Sequence, residues 1–134
     1  MSAFRAALIV LVVSSAGHAR VAVKLWATDR ACPALNRAVA EIGKVPFPEG
    51  WTIVVACTKM QWVTLQRKAD AQDTETAFTN VKGRITVVRG RIFLLDKVDR
   101  PVHRVLLHEI GHIRCNCGDE AQAERWALDY ERGK

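Results

Sequence analysis

The residues best suited to chemistry lie together near the end of the chain: His108, Glu109 and His112, in the order His-Glu-Ile-Gly-His. Two imidazoles four residues apart fall on one face of a helix, about one turn from each other. That spacing can hold one Zn2+, with the glutamate beside the first histidine serving as general base toward the water the ion would activate. Five residues match such a pattern easily by chance, so the third ligand is the deciding feature. A hydrolytic zinc site takes three protein ligands and keeps one position for water.

Two helices must position these groups. The first is expected from Pro101 to about Arg114, with Asp99 as cap and Pro101 in the first turn. Its apolar arc is Val102, Val105, Leu106, Leu107, Ile110 and Ile113, with His108 and His112 outside the middle of that arc and Glu109 at its edge. Gly111 is expected to keep the surface beside the metal open. A second helix should begin near Asp119, just after Gly118. On its wheel Ala121, Ala123, Trp126, Ala127 and Leu128 surround Glu120 and Glu124. Carboxylates buried in such a face are costly without a partner, and a divalent ion is one. The alanines would let the two helices approach closely.

The run His108-Glu109-Ile110-Gly111-His112, followed by Asp119-Glu120-Ala121-Gln122-Ala123-Glu124-Arg125-Trp126-Ala127, resembles the gluzincin metallopeptidases. It is most similar to compact types such as the minigluzincins, the ImmA/IrrE-like peptidases and the CAAX-prenyl endopeptidases. The resemblance covers Ile92 to about Tyr130. It implies an α+β, zincin-like fold: a small mixed or antiparallel sheet packed on the His-Glu-x-x-His helix, followed by a second metal-ligand helix. It also implies Zn2+ as cofactor, His108, His112 and Glu120 as metal ligands, Glu109 as catalytic base, and Glu124 as a support one turn on. Seven residues separate His112 from Glu120, a shorter link than in most gluzincins, so Glu124 or Asp119 also stands open as third ligand. A metzincin reading fails, because Gly118 stands where its third histidine would be and Cys115 where its glycine would be. The activity implied is hydrolysis of a peptide or protein substrate. Tyr130, His103 and Arg104 are candidates to steady the oxyanion, with His103 better placed for packing.

Upstream, Arg5, the apolar run Ala6 to Val13 and the small residues Ser14 to Gly17 read as a secretory signal peptide over residues 1–19. The cut is expected after Ala19, with a cut after Ala16 as competitor. A buried first strand or an uncleaved anchor is the other reading. Residues 20–134 then form the peptidase domain, exported to the periplasm or beyond, without a stable membrane span. Strands are expected at Arg20–Ala27, Trp51–Thr58, Arg84–Arg89 and Arg91–Asp96, the last pair joined at Gly90 or forming one bent strand. The last strand, at a sheet edge, could bind an extended peptide. Leu35, Ala38, Val39 and Ile42 form a helical stripe ending at Gly43, and Thr58 can cap a helix through Lys59–Asp70. Residues 45–50 and 71–76 read as loops.

A net charge of +6 is spread without a basic run or interleaved aromatics, so nucleic acid is not an expected partner. Cys32, Cys57, Cys115 and Cys117 allow three pairings. Bridges from Cys32 or Cys57 to Cys115 or Cys117 would brace the turn between the metal helices, whereas a bridge within Cys115-Asn116-Cys117 would be a tight ring. Cys115 and Cys117 as metal ligands compete with this reading, although an exported chain favours disulfides. Two other functions compete with an exported endopeptidase. One is a non-catalytic, zinc-stabilised binding module; the other is an ImmA-like regulatory peptidase inside the cell.

Overall fold

Strict alternation makes the strand that anchors the sheet. Val23, Leu25 and Ala27 are buried while Lys24 and Trp26 are exposed, the period-two pattern of a strand with one covered face. The computed structural model describes residues 8–16, 19–71, 76–94 and 101–133. In it, β1 (Leu8–Ala16), β2 (Ala19–Ala27), β3 (Thr52–Ala56), β4 (Ala77–Asn80) and β5 (Ile85–Arg89) form one mixed sheet in the order β1-β2-β3-β5-β4. The β1–β2 and β4–β5 pairs are antiparallel; β2–β3 and β3–β5 are parallel. The helices are α1 (Leu35–Ile42), α2 (Lys59–Lys68), α3 (Val102–Cys115) and α4 (Glu120–Glu131). The chain is thus α+β, with a small mixed sheet.

The two sheet faces carry different layers. Val23, Leu25, Ile53, Val55 and Val88 pack against α1 and α3 in the main core, with Trp51 and Phe93 buried among them. On the other face Trp62 of α2 joins Ala56 and Val87, with Phe78 against it at a ring-centroid distance of 5.6 Å. The α2 helix starts where the sequence indicates: Thr58 accepts from the Gln61 amide while the Gln61 side chain reaches back to the Thr58 amide, a reciprocal capping box. The α1 stripe also forms, with Ala38 and Ile42 fully buried.

Three expectations change. The segment expected as a strand over Arg91–Asp96 is a 3-10 turn at Gly90–Phe93. A Cβ on Gly90 would lie 2.7 Å from the Ala56 carbonyl, so the chain packs there on backbone instead of continuing β5. The strand antiparallel to β5 is Ala77–Asn80, whose short, half-polar Ala-Phe-Thr-Asn run carries almost no strand signal. Pro101 stands at the N-cap of α3 rather than in its first turn, and Asp99 lies outside the described residues.

The segment expected to be a signal peptide contributes β1, which pairs with β2 from Leu8↔Ala27 to Ala16↔Ala19. Among the described residues, no helix is long and apolar enough to cross a membrane. Cys32 and Cys57 form a disulfide that ties the lead-in to α1 to the end of β3, with Cα atoms 5.2 Å apart. Disulfides belong to oxidising compartments.

Candidate metal centre

Helix α3 buries Val102, Val105, Leu106, Leu107 and Ile110, and this fixes its rotation on the sheet. The flank left beside that stripe carries His108 and His112, whose side chains are 11% and 10% exposed. Glu109 is 5% exposed and faces the edge of the sheet. One ligand atom from each of His108, Glu109 and His112 lies within 4.8 Å of the others, a group able to hold a metal ion.

The turn out of α3 is tight. Asn116 adopts the left-handed conformation, at φ 51°, that commonly ends a helix. The Cys117 amide donates to the His112 carbonyl at 3.2 Å, and Asp119 accepts from the Gln122 amide to cap α4. Gly111 does not hold open a surface beside the metal. A Cβ there would overlap the Ala123 carbonyl oxygen and lie 2.8 Å from the Ala123 Cα, so Gly111 is the crossing point at which α4 touches α3. Ala123 and Ala127 are fully buried in that contact, as the alanine pattern suggested.

This crossing brings both glutamates of α4 to the histidines, in different places. His108 Nδ1 lies 2.6 Å from Glu124 Oε2, and His108 Nε2 lies 2.6 Å from Glu120 Oε2. His112 Nε2 lies 3.2 Å from Glu120 Oε1, and His112 Nδ1 lies 3.0 Å from the Cys117 carbonyl oxygen. The carbonyl can only accept, so His112 Nδ1 carries a proton, and His112 Nε2 faces the Glu120 carboxylate. A neutral imidazole has one N–H, yet His108 faces a carboxylate at each nitrogen. The Nε2 atoms of both histidines thus lie against one carboxylate. Ligand atoms around a tetrahedral zinc sit roughly 3.3 Å apart, for bonds of about 2.0–2.1 Å. Two imidazole nitrogens and a carboxylate are donors of the kind that can hold a divalent ion.

Glu120 is not embedded in an apolar face as its wheel suggested. Its side chain is 70% exposed, because it begins α4 at the open rim of the site, and that leaves it free to move. Glu124 is half-buried behind His108 and also meets Arg104, with its Oε1 3.8 Å from Arg104 Nε. Asp119 serves as cap; the Gln122 backbone amide holds its carboxyl below the ordinary value of 3.8. Of the oxyanion candidates, Arg104 spans Glu124 and Glu131, and His103 is exposed and pairs with Glu131 at 3.3 Å instead of packing. Tyr130 stacks on Trp126 with ring centroids 5.3 Å apart.

The cysteines near the site pair with each other, against the expectation of long bridges to Cys32 or Cys57. The left-handed turn at Asn116 brings the Cα atoms of Cys115 and Cys117 to 5.1 Å, and the bridge closes between them. Both sulfurs are thereby committed, and the link between the metal helices is braced by its own ring. Sequence reasoning missed two participants. One is the Cys117 carbonyl, a backbone group without a sequence signature. The other is Thr79 of β4, which donates to Glu109 Oε1 at 3.1 Å. A threonine thirty residues upstream in an unrecognised strand gives no local cue.

No protein-family model matches this chain, and no curated protein or solved structure matches it.

Proposed function

We propose that the chain is an exported zinc-dependent endopeptidase, with His108, His112 and Glu120 as metal ligands and Glu109 as general base. The observation that supports this most is the convergence of His108 Nε2 and His112 Nε2 on the Glu120 carboxylate, next to a buried glutamate. A structural metal site has no use for a fourth, acidic group held beside the ligands. Glu124 and the Cys117 carbonyl sit behind the two rings, where partners of this kind fix the tautomer and ring orientation of ligand histidines.

His108, His112 and Glu120 would hold Zn2+, which would supply a Lewis acid for a water and the scissile carbonyl. Glu109 takes the proton of the attacking water and delivers it to the leaving amine. Among the described residues no strand pairs with the outer side of β4, the sheet edge next to Glu109. An extended substrate segment fits along that edge by strand addition. This edge replaces the one expected at Arg91–Asp96.

The test combines metal analysis with hydrolysis of casein and of a broad peptide library. Wild type and Glu109→Gln should each carry about one zinc per chain, with cleavage lost only in the variant. General-base removal should cost about 10²–10⁴-fold in rate. A zinc-replete wild type that retains no metal would remove the site. Zinc without cleavage would assign the chain to the non-catalytic binding module instead.

A further inference from the structure

Behind Glu109 runs a line of polar groups that the reaction itself does not use. Trp51 Nε1 donates to Thr86 Oγ1 at 3.0 Å, Thr86 Oγ1 lies 2.9 Å from Thr79 Oγ1, and Thr79 Oγ1 lies 3.1 Å from Glu109 Oε1. Thr79 and Thr86 are register partners on β4 and β5, so the ladder itself sets them side by side. Trp51 is 2% exposed and Thr86 is fully buried, which seals the inner part of the line from solvent.

The middle bond is ambiguous alone, because either hydroxyl can be the donor. The two ends decide it. The indole N–H can only donate, so Thr86 accepts from Trp51 and spends its single proton on Thr79. A carboxylate can only accept, so Thr79 spends its proton on Glu109. Every donor then points the same way, from the core to the base.

We infer that Trp51, Thr86 and Thr79 form a one-way hydrogen-bond chain that ends on Glu109 and makes Thr79 a positioning residue for it. This inference rests on the reading of Glu109 as general base. The chain does two things. The Thr79 hydroxyl restrains the rotation of the carboxylate about its own axis. The chain is also a dead end for protons. Passing a proton inward from Glu109 would require every bond to reverse, and the indole cannot accept. The proton that Glu109 takes from water has no exit along this line of bonds.

The test has one arm independent of hydrolysis. In metal-free protein, the Trp51 indole N–H resonance, assigned with Trp51→Phe, should move on Thr86→Val, which removes its acceptor. It should move less, but measurably, on Thr79→Val, because bonds in a chain polarise one another. An indole signal unmoved by both variants overturns the chain. In the second arm, zinc-loaded Thr79→Val should bind one zinc with wild-type affinity. It should hydrolyse casein with kcat lowered about tenfold, a fraction of the general-base contribution, and KM nearly unchanged. Thr79→Ser, which restores the hydroxyl, should recover kcat to within about threefold of wild type on the same scale. Unchanged kcat in Thr79→Val, or Thr79→Ser as impaired as Thr79→Val, overturns the positioning role. A zinc-loaded wild type inert toward casein and the library would overturn the peptidase reading, and with it the role of Thr79 in catalysis, while the indole arm would still decide the chain.

Discussion

At the scale of single residues, two glutamates one turn apart have been given different positions by one helix crossing. Glu120 lies against the Nε2 atoms of both histidines, and Glu124 lies against the far nitrogen of His108. Removing them should therefore differ in degree. Glu124→Ala should weaken zinc binding about 10–100-fold, the usual cost of losing a partner behind a ligand. Glu120→Ala should weaken it further, as competition against a chromogenic chelator would show. Equal losses would mean that the two share one role. Gly111 makes a second residue-scale case. A methyl group there would collide with the Ala123 backbone, which cannot move aside as a flexible side chain would. Gly111→Ala should cost about 1–3 kcal/mol in thermal or urea unfolding, as overpacking does. It should also lower zinc affinity if, as proposed, Glu120 of α4 is the third ligand. A variant as stable as wild type would show that the helices separate freely.

At the scale of elements, the turn between α3 and α4 combines a left-handed asparagine, a ring disulfide and an aspartate cap within the five residues Cys115 to Asp119. The two disulfides should contribute in different ways. The Cys32–Cys57 bridge spans 25 residues and restrains the unfolded chain, so Cys32→Ser with Cys57→Ser should cost about 3 kcal/mol. The Cys115–Cys117 bridge spans only two, and its removal should scarcely change the melting temperature. Its effect should appear in zinc affinity, because the Cys117 carbonyl orients His112. The cap has a pH signature. The Asp119 carboxyl titrates below its ordinary 3.8 because the Gln122 amide bonds the anion. A depressed folded-state value gives stability that is full above the ordinary range and is lost as pH falls through the lowered value. Unfolding between pH 5 and pH 2 should therefore show an acid loss that Asp119→Asn removes.

At the scale of the molecule, the sheet order leaves β4 at one edge beside the metal helix and β1 at the other. If export removes residues 1–19, β2 becomes the far edge while β4, α3 and α4 keep every contact described at the site. Mass spectrometry of the exported protein should find Arg20 as the first residue; an intact N-terminus would retain β1 in the working molecule. Much of the site was legible without coordinates. A four-residue spacing sets His108 and His112 on one face whatever surrounds the helix, and an apolar stripe dictates which side is buried. The cap at Thr58 and the start of α4 near Asp119 are equally local. The strand β4, the 3-10 turn at Gly90 and the pairing of Cys115 with Cys117 were not legible, because each depends on what the chain meets rather than on its own pattern. Four residues of mixed polarity become a strand only when β5 offers them a ladder. Gly90 begins the 3-10 turn where the Ala56 carbonyl leaves no room for a Cβ. The sequence by itself determined that two imidazoles and a carboxylate share a helix face, since helical geometry is intrinsic to the chain. Only the tertiary structure decided where each glutamate of α4 meets them and that a threonine from the sheet bonds Glu109, since those contacts depend on how separate elements cross.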